Sequence, residues 1–346
     1  MNINLTLFNK VNIFLSKYGC NRNEIEGFLL HNNTFTDKQK KAIDIIGNIL
    51  SAHGKENLLH HLVELARVEQ GIHELEPRIR DHVVHALLSY LLGIFLNEYF
   101  MSRAMAIDTF QWKLAGLLHD VSYPVEISKK IMNPFECNIN RIRNELGFDN
   151  TRVIFKIIPQ GLEKLTNNIN GFHLIQNRLD EWDIDVDAKG QFNKLFRSGN
   201  VCHGMLSSLT ILNILDLMYQ KNNPLREYRT IISQDDNLSW NQSYFENDIV
   251  SACSAIFIHN LKANCFKGKK INRAKAPLAF LLRLSDCLQD WDRPSAELRE
   301  GIDATHFDIN LDKDTLVFNI DVTADRKKKI EDELYSTLDA PDIRIV

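Results

Sequence analysis

The sequence predicts a mainly helical protein that closes with a small β-hairpin and one further helix. Up to Glu300, apolar residues recur at three- and four-residue spacing in one long stretch after another. Strict alternation of apolar and polar residues begins only beyond it, at Phe307, Ile309 and Leu311 and again at Leu316, Phe318, Ile320 and Val322, around an Asp312–Asp314 turn. The 346 residues are 44% hydrophobic and 25% charged, which is globular composition with enough length for one large core.

The elements follow in order. Residues 1–50 read as helical segments interrupted by the polar run NNTFTDKQKK, where Thr36 and Asp37 are placed to cap the next helix. Residues 55–70 are amphipathic, with Leu58, Leu59, Leu62, Leu65 and Ala66 on one face and His60 and His61 read as surface residues. Residues 78–100 form a strongly apolar helix in which His82 and His85, three apart, share a face. Leu114, Leu117, Leu118 and Val121 define a core helix that stops before Tyr123–Pro124. The region 125–200 is less regular, with helices expected near 138–147 and 172–182. Its Asp183, Asp185 and Asp187 mimic the start of a calcium loop, but Ala188 stands where glycine is needed and Lys194 where a glutamate should close it, so the run reads as a solvated loop.

Three further helices follow. Residues 201–220 are apolar nearly all round and hence buried, and 246–261 carry His259 on a stripe with Ala252 and Ala255. Residues 277–294 open at Pro277 and close at Pro294. After the hairpin come a charged helix, ADRKKKIEDELYSTL, and DAPDIRIV, which stops short of an obvious ending and suggests the start of a larger neighbour. The expected units are an N-terminal helical segment (1–54), a main helical domain (55–300) and a small α/β appendage (301–346).

A net charge of −4 supplies no general attraction to nucleic acid or anionic membrane, so any phosphate binding has to be local. The most apolar stretch, Ala86–Leu96, is too short to span a bilayer and contains Ser89 and Tyr90. Six scattered cysteines without a CxxC pair read as reduced, buried thiols, and MNINLTLFNK lacks a signal peptide's apolar run, so a cytoplasmic location is expected.

His85, His119, Asp120, His203, His259 and Asp286 stand out, being metal-capable side chains set into apolar stripes of five different helices. Burying them is expensive unless something satisfies them, and helix bundles build metal sites from such converging residues. Imidazole nitrogen and carboxylate oxygen suit Mn²⁺ or Fe²⁺ and also admit Co²⁺, Ni²⁺ or Zn²⁺.

This order of residues resembles the HD-domain metal-dependent phosphohydrolase superfamily, whose signature runs His, then His-Asp, then a late Asp. RDHVVHALLSYLLG, GLLHDVSYP, CHGMLSSL and LLRLSDCLQDWDRP are similar to a bacterial subgroup found alone or beside chaperone-like ATPase domains. The resemblance covers about residues 75–295. It implies an HD-type helical bundle with Asp120 bridging two divalent ions, His85, His119 and Asp286 on one, and His203 and His259 on the other. Water acidified between the ions would then attack a phosphoester. His82 competes with His85 for the first position; otherwise His82 and Asp81 face or orient a substrate. Arg283 and Arg293 are candidate phosphate clamps. An Arg283–Asp290 or Asp290–Arg293 pair bracing the helix end is the alternative. Gly204 either clears space beside the metal or serves helix packing. Many such phosphodiesterases carry a lysine shortly after His-Asp, where this chain reads Val121–Ser122–Tyr123–Pro124.

The expected activity is hydrolysis of a phosphoester in a nucleotide or another phosphorylated small molecule. The alternatives are a slow or inactive metal or nucleotide sensor, a deoxynucleotide triphosphohydrolase, and a helical scaffold with incidental histidines. The lack of a basic stretch disfavours long nucleic acid as a partner, while a chaperone-like ATPase, another protein or a second copy remains open.

Overall fold

The computed structural model describes residues 3–31, 34–51, 81–101, 105–147, 153–157, 159–222, 242–289, 291, 307–312, 315–320 and 324–346. The expected amphipathic helix with His60 and His61, together with Arg293 and Asp290, lies outside these residues.

Three helices open the chain: α1 (Ile3–Val11), α2 (Arg22–Leu30) and α3 (Phe35–Ser51). The cap of α3 is Thr34 rather than Thr36. Its Oγ1 accepts from the Asp37 amide, as an N-cap does, and donates to the Asp37 carboxylate at 2.6 Å.

The central helices are α4 (His82–Tyr99), α5 (Thr109–Leu118), α6 (Tyr123–Glu145), α7 (Gly171–Glu181), α8 (Ala188–Arg197), α9 (His203–Asn222), α10 (Val250–Ile258) and α11 (Pro277–Leu288). Asp81 caps α4 by accepting from the Val84 amide. Every residue of α10 is buried, and it packs against α5, α7, α9 and α11, so small Ala252 and Ala255 suit its position at the middle of the bundle. Helices α4 and α5 cross closely because Gly93 has no side chain: a Cβ there would lie 1.9 Å from the Trp112 ring. Trp112 also donates its indole N–H to the Tyr90 carbonyl at 3.1 Å.

Two departures from expectation lie in 125–200. The chain folds into one 23-residue helix from Tyr123, in which Pro124 occupies the first turn and Pro134 is tolerated inside. The carbonyl that Pro134 cannot bond belongs to Lys130, an exposed residue. The acidic run, read as loop throughout, ends in a helix, because Asp187 caps α8 through the Gly190 amide. Asp183 and Asp185 pair with Lys269, Lys275 and Lys267 at 2.6–2.7 Å, so these acids serve as surface ion pairs.

Helix α11 ends at Leu288, earlier than the expected stop at Pro294. The C-terminal unit contains β2 (Phe307–Asp312), β3 (Thr315–Ile320), α12 (Ala324–Thr337), β4 (Leu338–Asp339) and β5 (Ile343–Ile345). Strands β2 and β3 form the expected antiparallel hairpin, with Ile309 opposite Phe318. Beyond expectation, the terminal stretch is structured: β5 adds parallel to β3, and β4 pairs with β1 (Ile271–Asn272) ahead of α11.

All six cysteines are free; Cys20 and Cys253 are buried as expected, whereas Cys137 is exposed on α6. Among the described residues, no helix is long and apolar enough to cross a membrane.

Candidate metal centre

Five helix ends or first turns converge on one buried point. His85 lies in the first turn of α4; His119 follows the last residue of α5, with Asp120 next; His203 begins α9; His259 follows the last residue of α10; Asp286 sits on α11. Asp120 divides its two oxygens between two sets of ligands. Its Oδ2 lies 3.5 Å from His119 Nε2 and 3.9 Å from His85 Nε2, while Oδ1 lies 3.2 Å from His203 Nε2 and 3.5 Å from His259 Nε2. Asp286 joins the first set, its Oδ1 being 2.9 Å from His85 Nε2 and 3.8 Å from His119 Nε2. Around an ion with ligands at about 2.1 Å, neighbouring ligands stand about 3.0–3.4 Å apart, which the observed spacings bracket.

Each ring is turned by a partner on its other nitrogen. His119 Nδ1 donates to the Gly116 carbonyl at 3.1 Å and His259 Nδ1 to the Ile256 carbonyl at 2.6 Å. His203 Nδ1 donates to Glu126 Oε2 at 2.7 Å. For His85 the logic has two steps. The Gln289 amide nitrogen donates to the Trp291 carbonyl, which leaves Gln289 Oε1 to accept from His85 Nδ1. All four histidines therefore present Nε2 to the two aspartates, and such fixing of the outer nitrogen is how metal-bound histidines are held.

Three atoms at this point are buried without a hydrogen-bond partner: His119 Nε2, His259 Nε2 and Asp120 Oδ1. All three act as acceptors once Nδ1 carries the ring proton. Each would cost about 1–3 kcal/mol if left unsatisfied, and cations held by the two ligand sets would satisfy all three. Burial lowers His119 to about 4, keeping it neutral. Burial opposes ionisation of Asp120 and Asp286, but the surrounding histidines outweigh it and hold both carboxyls below the usual range. Burial likewise disfavours charge on His203, yet Asp120 and Glu126 outweigh it and raise the ring to about 10. Glu126 is brought to about 2 against its own burial, by His203 and by Lys130, whose Nζ lies 2.8 Å away. Ionised carboxylate and imidazole Nε2 are donors that ligate divalent ions, with the proton on His203 displaced on binding, so the donor set fits, and the buried groups could hold metal as the two sets His85–His119–Asp120 and Asp120–His203–His259.

The remaining expected site residues separate. His85 enters the centre and His82 does not: the His82 ring stacks on Tyr123 with centroids 3.2 Å apart, and Tyr123 meets the His203 ring edge-on at 5.4 Å. His82 and Tyr123 therefore form a half-buried aromatic rim. Asp81 is fully buried as the cap of α4 and does not face a substrate. Arg283 is a correction to its expected role as a phosphate clamp. Its guanidinium turns away from the aspartates to the His259 backbone carbonyl, Thr337 Oγ1 and Glu333. Its fork is satisfied there and the residue is 3% exposed. Gly204 clears space beside the centre, since a Cβ would lie 2.7 Å from His259 Cε1 and from Asn260 Oδ1.

Three functional partners escaped the sequence reading. Glu126 lies in the turn after Pro124, Gln289 stands three residues past Asp286, and Asn260 lays its amide against the His203 ring, 3.1 Å from Nε2. The spacing of Gln289 from Asp286 is the one signal that could have drawn notice.

Comparison with protein-family models, with curated proteins and with solved structures found nothing that matches this chain.

Proposed function

We propose that this chain is an HD-type phosphohydrolase that uses two divalent metal ions to cleave a phosphoester of a nucleotide or a similar phosphorylated small molecule. The observation that carries the reading is the division of Asp120 between two histidine sets, Oδ2 toward His85 and His119, Oδ1 toward His203 and His259. One carboxylate placed this way is a bridge for a pair of ions. Bound there, two ions would lower the pKa of water and stabilise the attacking and leaving oxygens. Mn²⁺ or Fe²⁺ suits this nitrogen and carboxylate set best.

The chain's own groups supply the rest. Gln289, Gly116, Glu126 and Ile256 aim the four rings, and the depth of His119 and His259 excludes bulk water. At the half-buried rim stand the stacked rings of His82 and Tyr123, and His82 is our candidate for contact with an incoming substrate. Beside the first turn of α9 runs a narrow crevice lined by Phe192, Phe196, Val201, Cys202 and Met205. Much of its wall comes from the 125–200 region. The free cysteines fit a reducing, cytoplasmic setting.

Elemental analysis beside a turnover assay tests the reading. Wild-type protein is expected to carry about two transition-metal ions per chain and to release phosphate or a phosphomonoester with Mn²⁺. Asp120→Ala should lose both the ions and the turnover. No metal under any loading condition would refute the reading. A second reading, a sensor that holds ions but turns over little, draws on Arg283 facing away from the centre. Full ion content with no turnover on any nucleotide would favour it.

A further inference from the structure

Arg283 is almost fully buried, lies three residues before Asp286, and spends every arm of its guanidinium on a named partner. One arm holds the backbone carbonyl of His259. Nε bonds Thr337 Oγ1 at 3.3 Å, and the other arm pairs with Glu333 at 3.1 Å. Thr337 is the last residue of α12, is itself 1% exposed, and bonds the Glu333 carbonyl at 2.8 Å.

The backbone of His259 is thus gripped from one side by Arg283, while its ring is gripped from the other by Ile256. Both contacts fix where Nε2 points. Arg283 thus links a helix bearing a ligand of the first set to the backbone of a ligand of the second. Through Glu333 and Thr337, the C-terminal unit is tied by hydrogen bonds to this arginine.

We infer that Arg283 is a positioning residue for the second ion, and that docking of α12 through Glu333 and Thr337 sets how tightly His259 binds it. The inference rests on the two-ion reading above. Its physical basis is that a buried guanidinium whose planar fork is shared among three fixed partners is geometrically strict. Loosening its outer partners lets the fork swing and releases the His259 carbonyl, without removing any ligand. The first set, His85, His119 and Asp286, has its own supports and should not respond.

The test is a Mn²⁺ titration of the metal-depleted full chain, followed by the visible spectrum of the Co²⁺-loaded protein. Glu333→Gln with Thr337→Val is compared with Asp332→Asn, an exposed neighbour on the same helix. Glu333 is 44% exposed, so the change need not unfold the chain. The expected result is that one of two binding steps weakens by about tenfold, the scale for partners that orient metal ligands. It should be the step abolished by His203→Ala, and the Co²⁺ band lost in that variant should be the one that shifts. Arg283→Lys should weaken the same step further, since an ammonium cannot reach three partners at once. Equal weakening of both steps, weakening of the Asp286 step alone, or behaviour identical to Asp332→Asn would overturn the inference. A wild-type chain that binds no ion would instead bring down the two-ion reading itself, and this inference with it.

Discussion

On one side of Asp120, two histidines and the Asp286 carboxylate gather around Oδ2, aimed by neutral groups: a glutamine amide and a backbone carbonyl. On the other side, Oδ1 meets two histidines and no second aspartate, and one of those rings is backed by the charged Glu126, itself paired with exposed Lys130. The first set has more ligand charge and no titrating support. The second trades a ligand carboxylate for a carboxylate behind a ring, and His203 is 15% exposed where His119 is wholly buried. The contrast implies a tight ion on the first side and a weaker, more pH-sensitive one on the second.

The largest test separates the halves outright. Asp286→Ala and His203→Ala should each remove one ion and cost about a thousandfold or more in turnover, because the two ions act as one clamp. Metal content resolved by step-wise titration should show different steps missing in the two variants. If His203→Ala strips both ions, the halves are not separable and the comparison fails. Smaller effects are expected from the supports. Glu126→Gln should weaken the second step and Gln289→Leu the first, each about 10–100-fold, as read by competition with a chelator. A swap of those assignments would contradict the geometry.

Acidity sharpens the contrast further. Without an ion, Asp120 and Glu126 hold His203 protonated up to about pH 10, so an ion entering there must displace a proton. Affinity on that side should rise about tenfold per pH unit below this value. His119, held near 4 by burial, has no proton to displace at neutral pH and contributes no such slope. Mn²⁺ titrations at two pH values on either side of neutrality would read the difference directly. The mildest change is Gly204→Ala. Its methyl would press on His259 and Asn260, an overpacking cost of about 1–3 kcal/mol that should fall on the second step and leave the first intact.

The ligands themselves were readable in the chain because each is a polar group interrupting an apolar helix, and burial makes such an interruption costly. His85, His119, Asp120, His203, His259 and Asp286 all meet as that logic requires. The groups that aim them were not readable. Glu126 sits on a half-solvated helix face where an acid is ordinary, and Gln289 is a buried amide just past the end of α11; only the fold shows which ring each meets. Arg283 failed for a geometric reason: three residues on a helix leave about a 60° difference in direction. That is enough to turn Arg283 toward α12 while Asp286 faces the centre. Helix α6 was shortened in the reading because its long polar face, with only Pro124 and Ile127 buried, carries little apolar periodicity.

Two helices end at the floor of this centre, at His119 and His259, and two begin at its rim, at His82 and His203. A helix end carries about half a unit of charge, negative at its C-terminus and positive at its N-terminus. The floor thus adds negative potential to the two aspartates, while the starts at the rim already face Asp81 and Glu126. Charge is sorted by depth: cations are drawn inward, and an anion arriving first would meet repulsion. On the proposed function, ions would enter before phosphate, and the phosphate's affinity would be borrowed from them. A centre wired this way has no need of an inward arginine, and Arg283 is free to face the other way.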